Sequence, residues 1–88
     1  MPRYFFSLTT QNCRIDDIDG QDVRDLDAAV EIAELSICEI AGESLKVGEN
    51  VQLEGISILD ESGLVLAHLT TEEAVLPRFN ALRKYLNR

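Results

Sequence analysis

The stretch DLDAAVEIAELSICEIAGESLK, residues 25–46, decides how the rest of the chain is read. At 100° per residue Leu26, Val30, Ala33, Ile37, Ile40, Ala41 and Ser44 fall in one band, while Glu31, Glu34, Glu39 and Glu43 lie on its flanks and back. That pattern predicts a long helix covering an apolar core on one side. Asp25 and Asp27 sit at its positive end, where one of them caps it, and Lys46 and Gly48 suit its close. Leu35 points away from the band, with Ile32 near it. A helix with only water behind it does not place Leu there, so a second apolar neighbour is expected. It is either the C-terminal segment, through Phe79 and Leu82, or another subunit. Ile32, Leu35, Phe79 and Leu82 are therefore the candidate interaction surface.

Working outward, residues 3–9, RYFFSLT, alternate as a strand, with Tyr4, Phe6 and Leu8 on one face. A second short strand around Cys13 to Asp16 closes a hairpin onto it. The acidic run DDIDGQDVRDLD follows, with six carboxylates in twelve residues. Set on a calcium-binding EF-hand loop by its Gly20, it places Ile15 and Leu26 at the two strongest ligand positions, so a metal loop is not expected. A turn at Asp19-Gly20 accounts for the same residues. Beyond the helix, VQLEGISILD reads as a strand whose phase changes at Gly55, the mark of a β-bulge or of a strand beginning there. Asp60 to Gly63 form a hairpin turn. The returning LVLAHLT is apolar on both faces, which is how a central strand reads, or one whose outer face is also covered. Thr70 to Glu73 is a capping-box pattern, and Pro77 disfavours helix at Leu76 while suiting the first turn of a new one. A short helix is thus expected from Pro77 to Asn87, within a basic C-terminal extension spanning 76–88.

The totals narrow the classes. Eighty-eight residues fit one small domain, 1–88, of ordinary globular composition. Net charge is −8, made up of −12 over residues 1–76 and +4 over residues 77–88. That balance argues against nucleic acid as a general partner and suits a basic protein instead. No run reaches a membrane span and no signal peptide is evident, so a cytoplasmic location is the default expectation. Cys13 and Cys38, far apart and without CxxC spacing, are expected to be free thiols, Cys38 packed as a small apolar residue. His68 stands alone on a strand, neither Cys has a His in a recognisable motif, and no glycine-rich phosphate loop exists. No catalytic residue, cofactor or metal is expected, and the chain is read as no enzyme.

The opening MPRYFF, the IDDIDG segment, the helix start DLDAAVEIA and the later ILDESGLVLAHL resemble a domain-of-unknown-function family of small bacterial proteins found in rhizobia and related alphaproteobacteria. The resemblance runs over roughly residues 1–75. It implies the fold and a bacterial origin, and it transfers no site. A looser likeness, in element order and the acidic turn, is to antitoxins of the HicB type.

These readings give an α+β fold of ββαββ(α) order. A four-stranded, mainly antiparallel sheet carries one long helix and a short C-terminal helix. The functional expectation is a non-catalytic protein-interaction module acting as a homodimer. One alternative is an antitoxin-like or inhibitory protein whose acidic surface binds a basic partner. Another is a small enzyme gathering His68, Cys13 and carboxylates in one site.

Overall fold

A computed structural model describes the backbone of residues 1–86 and the side chains of residues 1–78. Its elements are β1 (Arg3–Thr10), β2 (Arg14–Ile15), β3 (Gln21–Asp22), α1 (Leu26–Lys46), β4 (Leu53–Leu59), β5 (Val65–Thr70) and α2 (Thr71–Leu86). The fold is α+β, as expected, with an antiparallel sheet ordered β2-β1-β4-β5.

The fifth strand, β3, was not legible in the sequence. It pairs with the start of β1 through Arg3↔Asp22 and Tyr4↔Gln21, while β2 pairs with the end of β1 through Leu8↔Ile15 and Thr9↔Arg14. Both run antiparallel to β1, so they are two ends of a single interrupted edge strand. Five residues, Asp16 to Gly20, span the gap where three would match β1. The Asp17 carboxylate fills the gap, accepting the amide of Phe6 at 3.2 Å and that of Gly20 at 3.1 Å. Gly20 turns the chain at φ +73°, and a Cβ there would lie 2.8 Å from the Phe5 ring. The acidic run is therefore a strand repair that keeps a backbone donor satisfied.

Helix α1 begins where its cap dictates. Asp25 is the N-cap, its side chain accepting from the Ala28 amide at 2.8 Å. The helix ends in a Schellman arrangement: Gly48 at φ +75° donates to Leu45 O and Glu49 donates to Ser44 O. Its buried line is Ala29, Ala33, Ile37 and Ala41, one residue per turn. Ala33, Ile37 and Ala41 belong to the expected band, and Ala29 joins them. Three alanines in four positions let the helix lie close to the sheet, where Tyr4, Ile56 and Ile58 complete the core.

Gly55 does mark a bulge. Thr9 pairs with Gly55 but Thr10 pairs with Leu53, leaving Glu54 as the extra residue. The slip brings both Leu53 and Ile56 into the core. Gly55 is also a site of close approach, since a Cβ would lie 2.5 Å from the Leu69 carbonyl oxygen.

Two expectations are corrected. Strand β5 is not central but the edge of the sheet, paired only with β4 in the strand order. Its double-sided apolar pattern comes from a second bulge, where Ile58↔Ala67 is followed by Leu59↔Val65. Ala67 and Leu69 pack on the core, whereas Val65 is exposed. The C-terminal helix also does not start at Pro77. It runs unbroken from Thr71 with Pro77 inside it, because the Thr70–Glu73 box starts it a turn and a half earlier. Near the proline, Ala74 O accepts from Arg78 Nη1 at 3.0 Å and from the Cys38 thiol at 3.7 Å. Those contacts, together with an Arg78–Glu34 ion pair of 2.9 Å, hold α2 against α1 on the same face of the sheet.

Candidate functional site

With both helices on one face, the sheet leaves two features toward solvent among the described residues: its other face and the outer edge of β5. The β4–β5 hairpin that presents them is built around one carboxylate. Asp60 Oδ1 accepts from Ser62 Oγ at 2.6 Å, Ser62 N at 2.9 Å and Leu64 N at 3.0 Å. Gly63, at φ +88°, closes the turn onto Asp60 O. The Ser62 hydroxyl, then the Leu64 amide, hold the Asp60 carboxyl below the usual aspartate range.

The strand that returns is largely uncovered. Leu64 is 61% exposed, Val65 51% and Leu66 37%. Residues 62–71 carry no charged side chain, a run matched in length only by residues 4–13, most of which lie in central β1. At its far end the Thr70 amide donates to Glu73 Oε1 at 3.1 Å, and the Glu73 amide donates back to Thr70 Oγ1 at 3.1 Å. The Thr70 hydroxyl is the main cause holding the Glu73 carboxyl below its ordinary range. An amide that reaches its own helix cap is not bonded to β4, so Gly55↔Thr70 is an open pair of the ladder. Pairs alternate along antiparallel strands. Ser57↔His68 is therefore open too, and the backbone N–H and C=O of His68 face the free edge.

That other face carries a row of polar side chains. Ser7, only 2% exposed, donates to Asp16 Oδ1 at 2.9 Å and accepts from Arg14 Nε at 2.8 Å. Arg14 Nε also reaches Asp16 at 2.7 Å. The Ser7 hydroxyl, then Arg14, hold the Asp16 carboxyl below its usual range. Ser7 pairs across the ladder with Ser57, whose hydroxyl is hydrogen-bonded to His68 Nδ1 at 2.8 Å. A serine beside a histidine invites a nucleophile–base reading. Among the described residues, however, no hydrogen bond links His68 to a carboxylate. Asp16 is held by Ser7 and Arg14 two strands away, and Cys13 lies beside β2 at the opposite edge from His68. A shallow hollow of about 210 Å³ opens over this face, lined by Phe5, Ser7, Arg14, Leu59 and Asp60.

A second depression, about 420 Å³, lies between α1 and the β1–β2 edge, with Phe6, Leu8, Ile15, Ile32 and Ile40 in its walls. Here the structure places Ile32: half-buried and packed against the core rather than on a separate outer face. Leu35 is 54% exposed. The other two residues of the expected patch, Phe79 and Leu82, have side chains outside the described residues. The β5 edge was missed because apolarity on both faces was read as burial. The uncharged run 62–71 was the signal that could have found it.

Cys13 and Cys38 are free thiols. Among the described residues, no group of three His, Cys, Asp or Glu side chains is arranged to hold a metal ion, and no helix is long and apolar enough to cross a membrane.

Residues 3–72 match the family model described as Domain of unknown function (DUF6894). The chain belongs to that family. No curated protein and no solved structure matches it.

Proposed function

We propose that this DUF6894 member is a non-catalytic protein-interaction module that acts as a homodimer. The observation that carries the reading is the uncharged, exposed edge strand β5, with Leu64, Val65 and Leu66 in water. Sheet edges in soluble proteins are usually guarded by charge, proline, bulges or brevity, and β5, bulged at Leu66 but free of charge and proline, still offers a template for another strand. Ser7 is held by Asp16 and Arg14, and Ser57 by His68 Nδ1, with no carboxylate bonded to His68 among the described residues, which favours a structural role for the row over chemistry. Light scattering after gel filtration tests the reading. At micromolar concentration the expected mass is twice the 9.8 kDa of one chain. A species of one chain's mass overturns it.

A further inference from the structure

We infer that the Asp19–Gly20 linkage is a site of covalent modification, where aspartate converts to isoaspartate without an enzyme, and that Asp17 restrains the conversion by holding the Gly20 amide. This goes beyond the homodimer reading and does not depend on it.

The sequence supplies the reactive pair once. Of the five glycines only Gly20 follows an aspartate, and no asparagine precedes a glycine. In such a pair the Gly20 nitrogen attacks Cγ of the Asp19 carboxyl group, which is exposed. An N–Cγ bond forms, the amide proton and a carboxyl oxygen depart as one water, and a five-membered succinimide results. Water then opens the ring. Breaking N–Cγ restores aspartate, whereas breaking the bond from nitrogen to the α-carbonyl carbon leaves Gly20 attached through Cγ, as isoaspartate. One water is lost and one regained. The main chain gains a carbon, and the Asp19 carbonyl becomes a free carboxylate.

A side chain on the residue after the aspartate is the simplest brake on this reaction, and the fold excludes one. Gly20 sits at φ +73°, and a Cβ there would lie 2.8 Å from the Phe5 ring and 2.9 Å from Arg3 Cγ. The restraint comes instead from two contacts that hold the linkage from both sides. Asp17 Oδ1 accepts from the Gly20 amide at 3.1 Å, and Arg3 Nη1 donates to Asp19 O at 3.1 Å. A peptide plane fixed this way does not turn its nitrogen onto Cγ. The attacking species is also the deprotonated amide, and a neighbouring carboxylate opposes that negative charge.

What the conversion disrupts lies next in the chain. Strand β3 holds Arg3↔Asp22 and Tyr4↔Gln21 in register, and the Val23 amide donates to Pro2 O at 3.0 Å. Val23 is a core residue, 5% exposed. An extra main-chain carbon before Gly20 and a carboxylate in place of the carbonyl that Arg3 holds loosen this half of the edge.

Incubation of the wild-type chain at neutral pH, native and unfolded in guanidinium chloride, tests the site. Isoaspartate is counted by methyltransferase labelling and located by fragmentation in a mass spectrometer. The unfolded chain is expected to convert at residue 19 at least roughly tenfold faster than the native one. No isoaspartate at residue 19 in the unfolded chain overturns the site, and equal rates overturn the restraint. Asp17→Ala is expected to quicken the native reaction by roughly tenfold. Asp25→Ala, which removes the α1 cap, is the control for lost stability alone and is expected to leave residue 19 slow. Equal rates in the two variants overturn the role of Asp17. Asp17→Asn keeps an acceptor oxygen without the charge and serves if Asp17→Ala does not fold. It is expected to exceed Asp25→Ala by roughly threefold, and a rate no higher also overturns that role.

Discussion

At the scale of single residues, carboxylates act as backbone partners more than as charges. Asp17 replaces a missing ladder acceptor for Phe6, Asp25 caps α1, Asp60 winds a turn and Glu73 caps α2. Asp17→Ala leaves two amides without acceptors, one of them in a part-buried strand, and is expected to lower stability by about 1–3 kcal/mol in urea unfolding. Asp17→Asn keeps an acceptor oxygen and is expected to cost less. The same logic sets the acid limit of the fold. Asp16, Asp25, Asp60 and Glu73 all titrate below their ordinary values of 3.8 for aspartate and 4.5 for glutamate. Their causes are, in order, the Ser7 hydroxyl, the Ala28 amide, the Ser62 hydroxyl and the Thr70 hydroxyl. As pH falls, the unfolded chain takes up these protons first. The stabilisation is therefore whole above the ordinary values and drains away as pH drops through the lower, folded ones. The urea midpoint is expected to hold steady from about pH 7 to 5.5 and to decline below about pH 4.5. Asp60→Asn keeps its acceptor but loses its titration, and its decline is expected to be shallower.

At the scale of elements, local signals and tertiary contacts divide the work. Helix α1 was legible end to end because its cap, apolar period and terminating glycine agree. The bulge at Gly55 was legible as a broken alternation. Helix α2 was misjudged because Pro77 was weighed as a stop, whereas the Thr70–Glu73 box had already started the helix. A proline inside a helix forfeits the bond its amide would make and crowds the preceding turn. Pro77→Ala is accordingly expected to raise stability by about 1–3 kcal/mol, read as a higher urea midpoint with an unchanged slope. If the midpoint does not move, the bonds that Ala74 O accepts from Arg78 and Cys38 already offset the loss.

At the scale of the whole molecule, two helices lie on one sheet face and, among the described residues, β5 ends the strand order as an edge with no further strand beside it. Leu64, Val65 and Leu66 lie exposed at the start of that edge, so folding and association are linked if a second chain covers it. Mass action then makes the thermal midpoint depend on concentration, because whatever binds only the folded chain stabilises it. Tm is expected to climb steadily between about 1 and 100 μM wild-type chain, and to stay flat for Leu66→Glu. A flat wild-type curve contradicts the homodimer.

The sequence by itself determined the α+β class, helix α1 with its cap and terminator, the phase change at Gly55, the Asp60–Gly63 turn and the Thr70–Glu73 box. Each is written in residues a few positions apart, where period, turn chemistry and capping act directly. Only the tertiary structure decided which strand stands at the edge, that Asp16 to Gly20 bridges two halves of one strand, and that Ile32 belongs to the core. These depend on which segments meet across the sheet, and an apolar run such as LVLAHLT has the same pattern whether protein or water lies beyond it. That is why the open edge of β5, a feature of backbone pairing rather than of side-chain period, was not among the expectations drawn from Ile32, Leu35, Phe79 and Leu82.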